Sequence, residues 1–469
     1  MTARARLLQL CCVGAVIVGC GDHGMSIGTA GPGDLQYGNQ RPKTPLITRR
    51  SRELQDNRIG VDYGYLSNGV SSGVYDNVFA LGLKWVRTAF DGSGSFLNWQ
   101  RIESGPGKYT VNPLEDAAIT TYTNSGVNIL LNLGVGPGDG ITGVRFATEG
   151  EIERYVNYVR FMVDHFKGRV RYYELWNEPG GKDPSSGLPS AIGIDVNIWA
   201  NVISRVVPVI RDVDPEAKIV IGALGGDWIL GFPGYGEYAR SLLHIDYLKS
   251  LIASGVAPLV DAISWHPFYG NRPDDPYYRT YPAFVSEIKN LAASHGFQGE
   301  YVAEEIGYYD SPAAVFSGHS APVVSPKVAA KYYARAIVMH LGLDFTVTAA
   351  PKDGVVANVV GALCSVMEAA RPQSLAMEIQ SEAANIRMYT FSAAGGSRLV
   401  ALWTDGTGVD DDLGVRATLT LPSSSFRRVV GVDIVNRFQQ DLVTEAISGG
   451  LVIRNLLVKD YPTILRLLP

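Results

Sequence analysis

The chain has 469 residues, 46% of them hydrophobic and 19% charged, a globular balance too long for one compact core and suited to two domains. That composition excludes disorder and repeat arrays. The formal net charge is -5, without a basic block, an aromatic-basic stripe or a Gly-x-x-x-x-Gly-Lys-Ser/Thr loop, which excludes nucleic acid and nucleotides as expected partners.

Residues 1–19 read as a signal peptide: Arg4 and Arg6 precede an apolar run, 7–18, that is short for a bilayer span. The run ends in Ile17-Val18-Gly19-Cys20, which resembles the bacterial lipobox, where small residues precede a cysteine that is diacylated and becomes the new N-terminus. The resemblance implies lipidation at Cys20, a membrane anchor of two acyl chains, and a place in the bacterial cell envelope outside the cytoplasm. Cys11 and Cys12 would leave with the leader, so Cys364 remains alone and no internal disulfide is expected. Residues 20–50, rich in Gly, Pro and Thr without apolar periodicity, predict a flexible linker.

From residue 51 to 375 short apolar runs alternate with amphipathic helices, the pattern of βαβ units on a parallel sheet. Strands are expected at 58–63, 84–88, 127–133, 170–176, 218–222, 262–266, 300–303 and 344–348. Ahead of the fourth, Ile152, Tyr155, Val156, Val159, Met162, Val163 and Phe166 recur at helical spacing and end at Lys167-Gly168. Eight such strands fit an α/β fold of the closed (β/α)8 TIM barrel type, with a doubly wound open sheet as the alternative.

Residues 376–469 change to strand-like runs without helices: 386–391, 398–403, 417–421, 429–435, 451–457 and 463–468. Turns such as Gly395-Gly396, Asp405-Gly406 and Gly449-Gly450 separate them. This predicts a C-terminal β-sandwich domain that packs against the barrel or binds sugar.

Catalytic side chains of such barrels sit where strands end. The fourth strand ends in Tyr173-Glu174-Leu175-Trp176-Asn177-Glu178-Pro179, a carboxyl beside an amide able to bond a substrate hydroxyl, with Pro179 stopping the strand. The seventh ends in Tyr301-Val302-Ala303-Glu304-Glu305-Ile306-Gly307. Glycoside hydrolysis with retention needs two carboxyls roughly 5 to 5.5 Å apart, and only a fold that curls round brings positions this distant in sequence together.

Asn177-Glu178-Pro179 with Glu305-Ile306-Gly307 resembles the clan A glycoside hydrolases, most of all family 39. The resemblance spans the barrel and implies a retaining enzyme with Glu178 as acid/base and Glu305 as nucleophile, acting on a carbohydrate substrate, most simply a β-linked oligo- or polysaccharide. It also implies substrate-facing roles for Asn177, for Arg87 as support of the nucleophile, and for His266 with Tyr269. The family's His-x-Tyr falls here on Phe268, with Tyr269 one residue later, and the Trp common at the eighth strand is replaced by Phe345-Thr346-Val347-Thr348-Ala349-Ala350. Trp176, Trp228 and Trp265 remain as stacking platforms or core. Glu304, as a neighbour of Glu305 on a strand, is expected on the opposite face. Glu174, sharing the parity of Glu178, is expected deeper in the barrel, paired with a cation or hydroxyl. The double displacement calls for no cofactor and no metal, and neither a His-Glu-x-x-His motif nor a cysteine cluster occurs. A sugar-binding lipoprotein without turnover and a transglycosylase sharing the intermediate are the competing readings. The loops 134–148 and 180–197 are expected to set specificity.

Overall fold

The structure, a computed structural model, describes residues 31, 33–62, 72–88, 97–134, 146–179, 194–225, 245–268, 270–310, 322–349, 354–422 and 425–469. The leader with Cys20, Trp228, Tyr269 and Ala350 lie outside the described residues, as do most of the loops 134–148 and 180–197. Among the described residues no helix is long and apolar enough to cross a membrane.

Eight strands close the barrel: β1 (Ile59–Asp62), β2 (Trp85–Thr88), β3 (Asn128–Asn132), β4 (Tyr172–Glu174), β5 (Lys218–Gly225), β6 (Ala262–His266), β7 (Glu300–Ile306) and β8 (Thr346–Ala349). Each pairs in parallel with its sequence neighbours, and β8 with β1 closes the ring, which overturns the open-sheet alternative. The sixth strand coincides with its expected span. The seventh runs on to Ile306 and so carries Glu304 and Glu305 on the sheet.

Alternation fills the barrel in layers. Trp85, Leu130, Tyr172, Val220, Ala262 and Val302 form an apolar floor. Gly60 completes it by absence, since a Cβ there would stand 2.5 Å from the Cβ of Trp85. Two residues further along the same strands the interior turns polar: Asp62, Arg87, Asn132, Glu174, Ser264, Glu304 and Thr348 are all buried. Outside, the helices supply the apolar seal. The helix Glu149–Phe166 opens on a capping box of Thr148 and Glu151 and buries Ile152, Tyr155, Val159, Met162, Val163 and Phe166 of the stripe its periodicity predicts, with Val156 half-buried at its edge.

The C-terminal strands form two antiparallel sheets stacked as a β-sandwich, ending in Thr463–Leu468 at the center of the larger. Its short strands Arg371–Pro372, Glu378–Ser381, Phe438–Asp441 and Glu445–Ile447 escape the sequence reading, being too brief to show a period. The helix Pro326–Gly342 is buried on nearly every side because the barrel covers one face and the sandwich the other. Lys331 reaches Asp460 at 2.7 Å, and Arg335 donates to the Gly406 carbonyl at 2.6 Å. The sandwich is thereby clamped to the barrel.

The segment expected as a flexible linker is ordered from residue 33 up to the barrel. Lys43–Pro45 pairs antiparallel with the strand Phe438–Asp441, Leu35 is buried in the sandwich core, and Gln36 donates to the carbonyls of Val443 and Arg454, each at 2.9 Å. A three-residue edge strand held by side-chain to main-chain bonds has no hydrophobic period to reveal it.

Candidate active site

The polar layer is organised around Arg87, which β2 delivers into the barrel axis. Its guanidinium donates from Nε to Glu174 at 2.8 Å, from Nη1 to Glu305 at 2.8 Å and from Nη2 to Asn177 at 2.5 Å, and Asp62 and Glu304 stand 3.6 and 3.4 Å away. The planar fork thus fixes β4 and β7 to each other, which a lysine could not do. Glu174 is the buried counter-charge the sequence predicts. It also accepts from Asn132 at 2.7 Å and from the Ser264 hydroxyl at 2.9 Å. Burial alone would raise its pKa; Arg87, with hydrogen bonds from Glu304 and Asn132, reverses that and holds it below the usual carboxylate range.

Two carboxyls rise from this layer to the mouth. Glu178 and Glu305 keep 17% and 8% of their side chains exposed, whereas those of Asp62, Glu174 and Glu304 have none, so a ligand entering from the rim meets the first two. Both adopt left-handed backbone, φ 47° and 51°, as do Trp176 and Ala223 with φ 70° and 44°. Such conformations cost energy in residues with a Cβ and concentrate at functional sites. Here the surrounding bonds over-determine them. Glu178 N–H donates to the Ala223 carbonyl at 2.9 Å, Ala223 N–H to Ser264 Oγ at 2.9 Å, and Glu305 N–H to Asp62 at 3.0 Å. The left-handed turn at Glu305 also explains a departure from expectation. Neighbouring strand residues should face opposite ways, yet both Glu304 and Glu305 point into the barrel, where the β7–β8 register shifts between Ala303 and Ile306.

His266 ends β6 between the carboxyls: Nδ1 lies 3.1 Å from Glu178 and 3.6 Å from Glu305, and Nε2 3.5 Å from Glu304. Burial would drive the ring neutral, but Glu305, Glu178 and Glu304 outweigh it and hold its pKa well above the usual histidine range. One ligating atom each of Glu178, His266 and Glu305 lies within 4.8 Å of the others, close enough for two carboxyls to act on one bond.

The structure gathers Arg87, Asn177, Glu178, His266 and Glu305 in one place. Tyr269 falls outside the described residues, and the His-x-Tyr position is filled by Phe268, buried among the rings of Tyr277, Tyr278, Tyr281 and His340. Trp176 packs with Trp99, Phe146, Tyr155 and Trp199, and Trp265 turns outward to Phe345 and bonds Tyr281 at 2.9 Å; both are core. Asp62, Asn132, Ser264 and Thr348 escape the sequence reading. Asp62 accepts from Glu305 N–H and from the Thr348 hydroxyl, each at 3.0 Å. Burial, opposed by Arg87 and supported by Glu305, pushes it up to about 7. The available signal was a polar residue ending an otherwise apolar barrel strand.

This fold and this arrangement have counterparts among solved structures. The chain is similar over 90% of its length to a family 39 glycoside hydrolase from the gut symbiont Bacteroides cellulosilyticus WH2, 83% of which is covered, with a TM-score of 0.60 and 15% identity. It is similar to a family 51 alpha-L-arabinofuranosidase from Bifidobacterium longum (TM-score 0.54, 13% identity, 92% of this chain and 98% of that one). A third likeness is to the catalytic domain of a family 30 xylanase from Talaromyces cellulolyticus (TM-score 0.53, 12% identity, 91% and 98%). No protein-family model and no curated protein matches the chain. The fold is therefore one shared with clan A glycoside hydrolases.

Proposed function

We propose that the chain is a retaining glycoside hydrolase acting on a carbohydrate, most simply a β-linked oligo- or polysaccharide, with Glu305 as nucleophile and Glu178 as acid/base. The observation that carries this reading is the pair itself: two rim carboxyls within 4.8 Å, one bound to a guanidinium and the other beside an imidazole. Arg87 keeps Glu305 an anion, ready to attack the anomeric carbon, while Glu178 passes its proton to the departing oxygen. The bond from C1 to the leaving oxygen breaks as the Glu305–C1 ester forms. Esterification removes the Glu305 charge, and the carboxylate left on Glu178 draws a proton from water, which attacks C1 and frees Glu305. Asn177, oriented by Arg87, faces the same mouth and is assigned to a substrate hydroxyl.

The leader supports a further reading, that Cys20 is lipidated and tethers the body to a membrane of the bacterial cell envelope. Labelling with a radioactive fatty acid should mark the full chain and spare the Cys20→Ala variant.

The direct test incubates a body lacking residues 1–20 with a panel of aryl glycosides and polysaccharides, beside Glu178→Gln and Glu305→Gln. Turnover by the parent and loss in both variants is the expected result. A parent that binds glycans and turns over none of the panel would replace the hydrolase with a carbohydrate-binding protein.

A further inference from the structure

Double displacement uses Glu178 and Glu305, yet the sequence places a third glutamate directly beside the nucleophile. Glu304 is completely buried, and among the described residues neither of its oxygens accepts a hydrogen bond of ordinary length and angle. Its carboxyl instead lies against that of Glu174, with Arg87 Nε at 3.4 Å and His266 Nε2 at 3.5 Å. Two buried carboxyls in contact coexist only with a proton between them. Resting on the hydrolase reading, we propose that Glu304 is a positioning residue, an uncharged acid that seats the His266 ring through Nε2 so that Nδ1 stays on Glu178.

A histidine ring is oriented by whatever its far nitrogen meets, and here that is Glu304. The cations facing Glu304 are Arg87 and His266; the acids around them are Asp62, Glu174, Glu178 and Glu305. Charged Glu174 and Glu305 already balance the two cations. Burial and the Glu174 charge hold Glu304 well above the usual carboxylate range, so its carbonyl oxygen is left for Nε2–H and its hydroxyl for Glu174.

An uncharged acid has a close isostere in glutamine, whose carbonyl and amide reproduce both contacts, while leucine has the size and neither contact. Glu304→Gln should keep kcat within about threefold of the parent, and Glu304→Leu should lose roughly 100-fold in kcat at little change in KM, the scale of a misplaced proton-transfer group. The ring itself is read without turnover, from the His266 ring N–H resonances of the nitrogen-15-labelled protein at one neutral pH. They should coincide in the parent and Glu304→Gln and move in Glu304→Leu. Ring resonances unmoved by Glu304→Leu overturn the proposal, as does a Glu304→Gln variant as impaired as Glu304→Leu, which would mean that a charge at this position is required. Resonances that move as expected in a protein inert toward glycosides would uphold the seating of the ring and reject the hydrolase reading alone.

Discussion

Arg87→Met should be the most damaging single change to the polar layer. The side chain is wholly buried and donates to Glu174, Glu305 and Asn177 at 2.8, 2.8 and 2.5 Å. Methionine keeps most of the volume but removes the cation, leaving Glu174 and Glu305 facing each other without compensation. Breaking a buried ion pair from one side costs about 3–5 kcal/mol. At roughly 2–4 °C per kcal/mol for a domain of this scale, the unfolding midpoint should fall by about 10 °C. Arg87→Lys should recover part of that loss by restoring a charge, yet not the activity, because a point charge cannot hold two strands in register as the fork does. Thermal and urea unfolding followed by circular dichroism, with kcat measured on the same samples, gives both quantities. An Arg87→Met protein that unfolds within about 1 °C of the parent would refute the claim that the guanidinium holds the layer together.

Asp62 titrates near 7 in the folded state against an ordinary value of 3.8. Since the folded chain binds its proton more tightly, the contribution of Asp62 is fully present below about pH 4 and is lost as pH rises to about 7. Asp62→Asn should therefore show a smaller fall in urea midpoint between pH 4 and 7 than the parent; parallel curves would contradict the shift. Trp265→Phe should lower stability by about 1–2 kcal/mol through the lost bond to Tyr281 and leave KM unchanged, whereas a raised KM would make Trp265 a sugar platform. Lys331→Met leaves Asp460 buried without its cation and should cost about 3–5 kcal/mol, most of which the added Asp460→Leu change should return. Additive losses in that double-mutant cycle would show that the clamp between barrel and sandwich lies elsewhere.

What the sequence reveals of this molecule follows the range of its interactions. The barrel was legible because each strand and helix announces itself by a local period, and the rim because Asn177-Glu178-Pro179 and Glu305-Ile306-Gly307 stand at strand ends. Glu174 was legible in part, since parity alone puts it below Glu178. Asp62, Asn132, Ser264 and Thr348 were not, because their partners lie tens to hundreds of residues away and meet only on closure of the barrel. Asp62 and Thr348, on the first and last strands, are the extreme case. That Glu304 and Glu305 share the inward face was hidden for another reason: alternation carries Val302 and Glu304 inward and would turn Glu305 out, and the left-handed turn at Glu305 that overrides it depends on a backbone bond to Asp62. The edge strand Lys43–Pro45 was missed because nothing within those three residues differs from a linker.

The central claim is that Glu305 forms a covalent bond to sugar, and it is tested most directly by trapping that ester. An activated 2-deoxy-2-fluoro glycoside, matched to whichever sugar the panel identifies, slows the second step more than the first. Intact mass followed by peptide sequencing then locates the label. The account predicts one glycosyl unit per chain, carried on Glu305, formed as turnover ceases and absent in Glu305→Gln. A label on Glu304 or Glu178, or turnover that continues with no adduct, would contradict it.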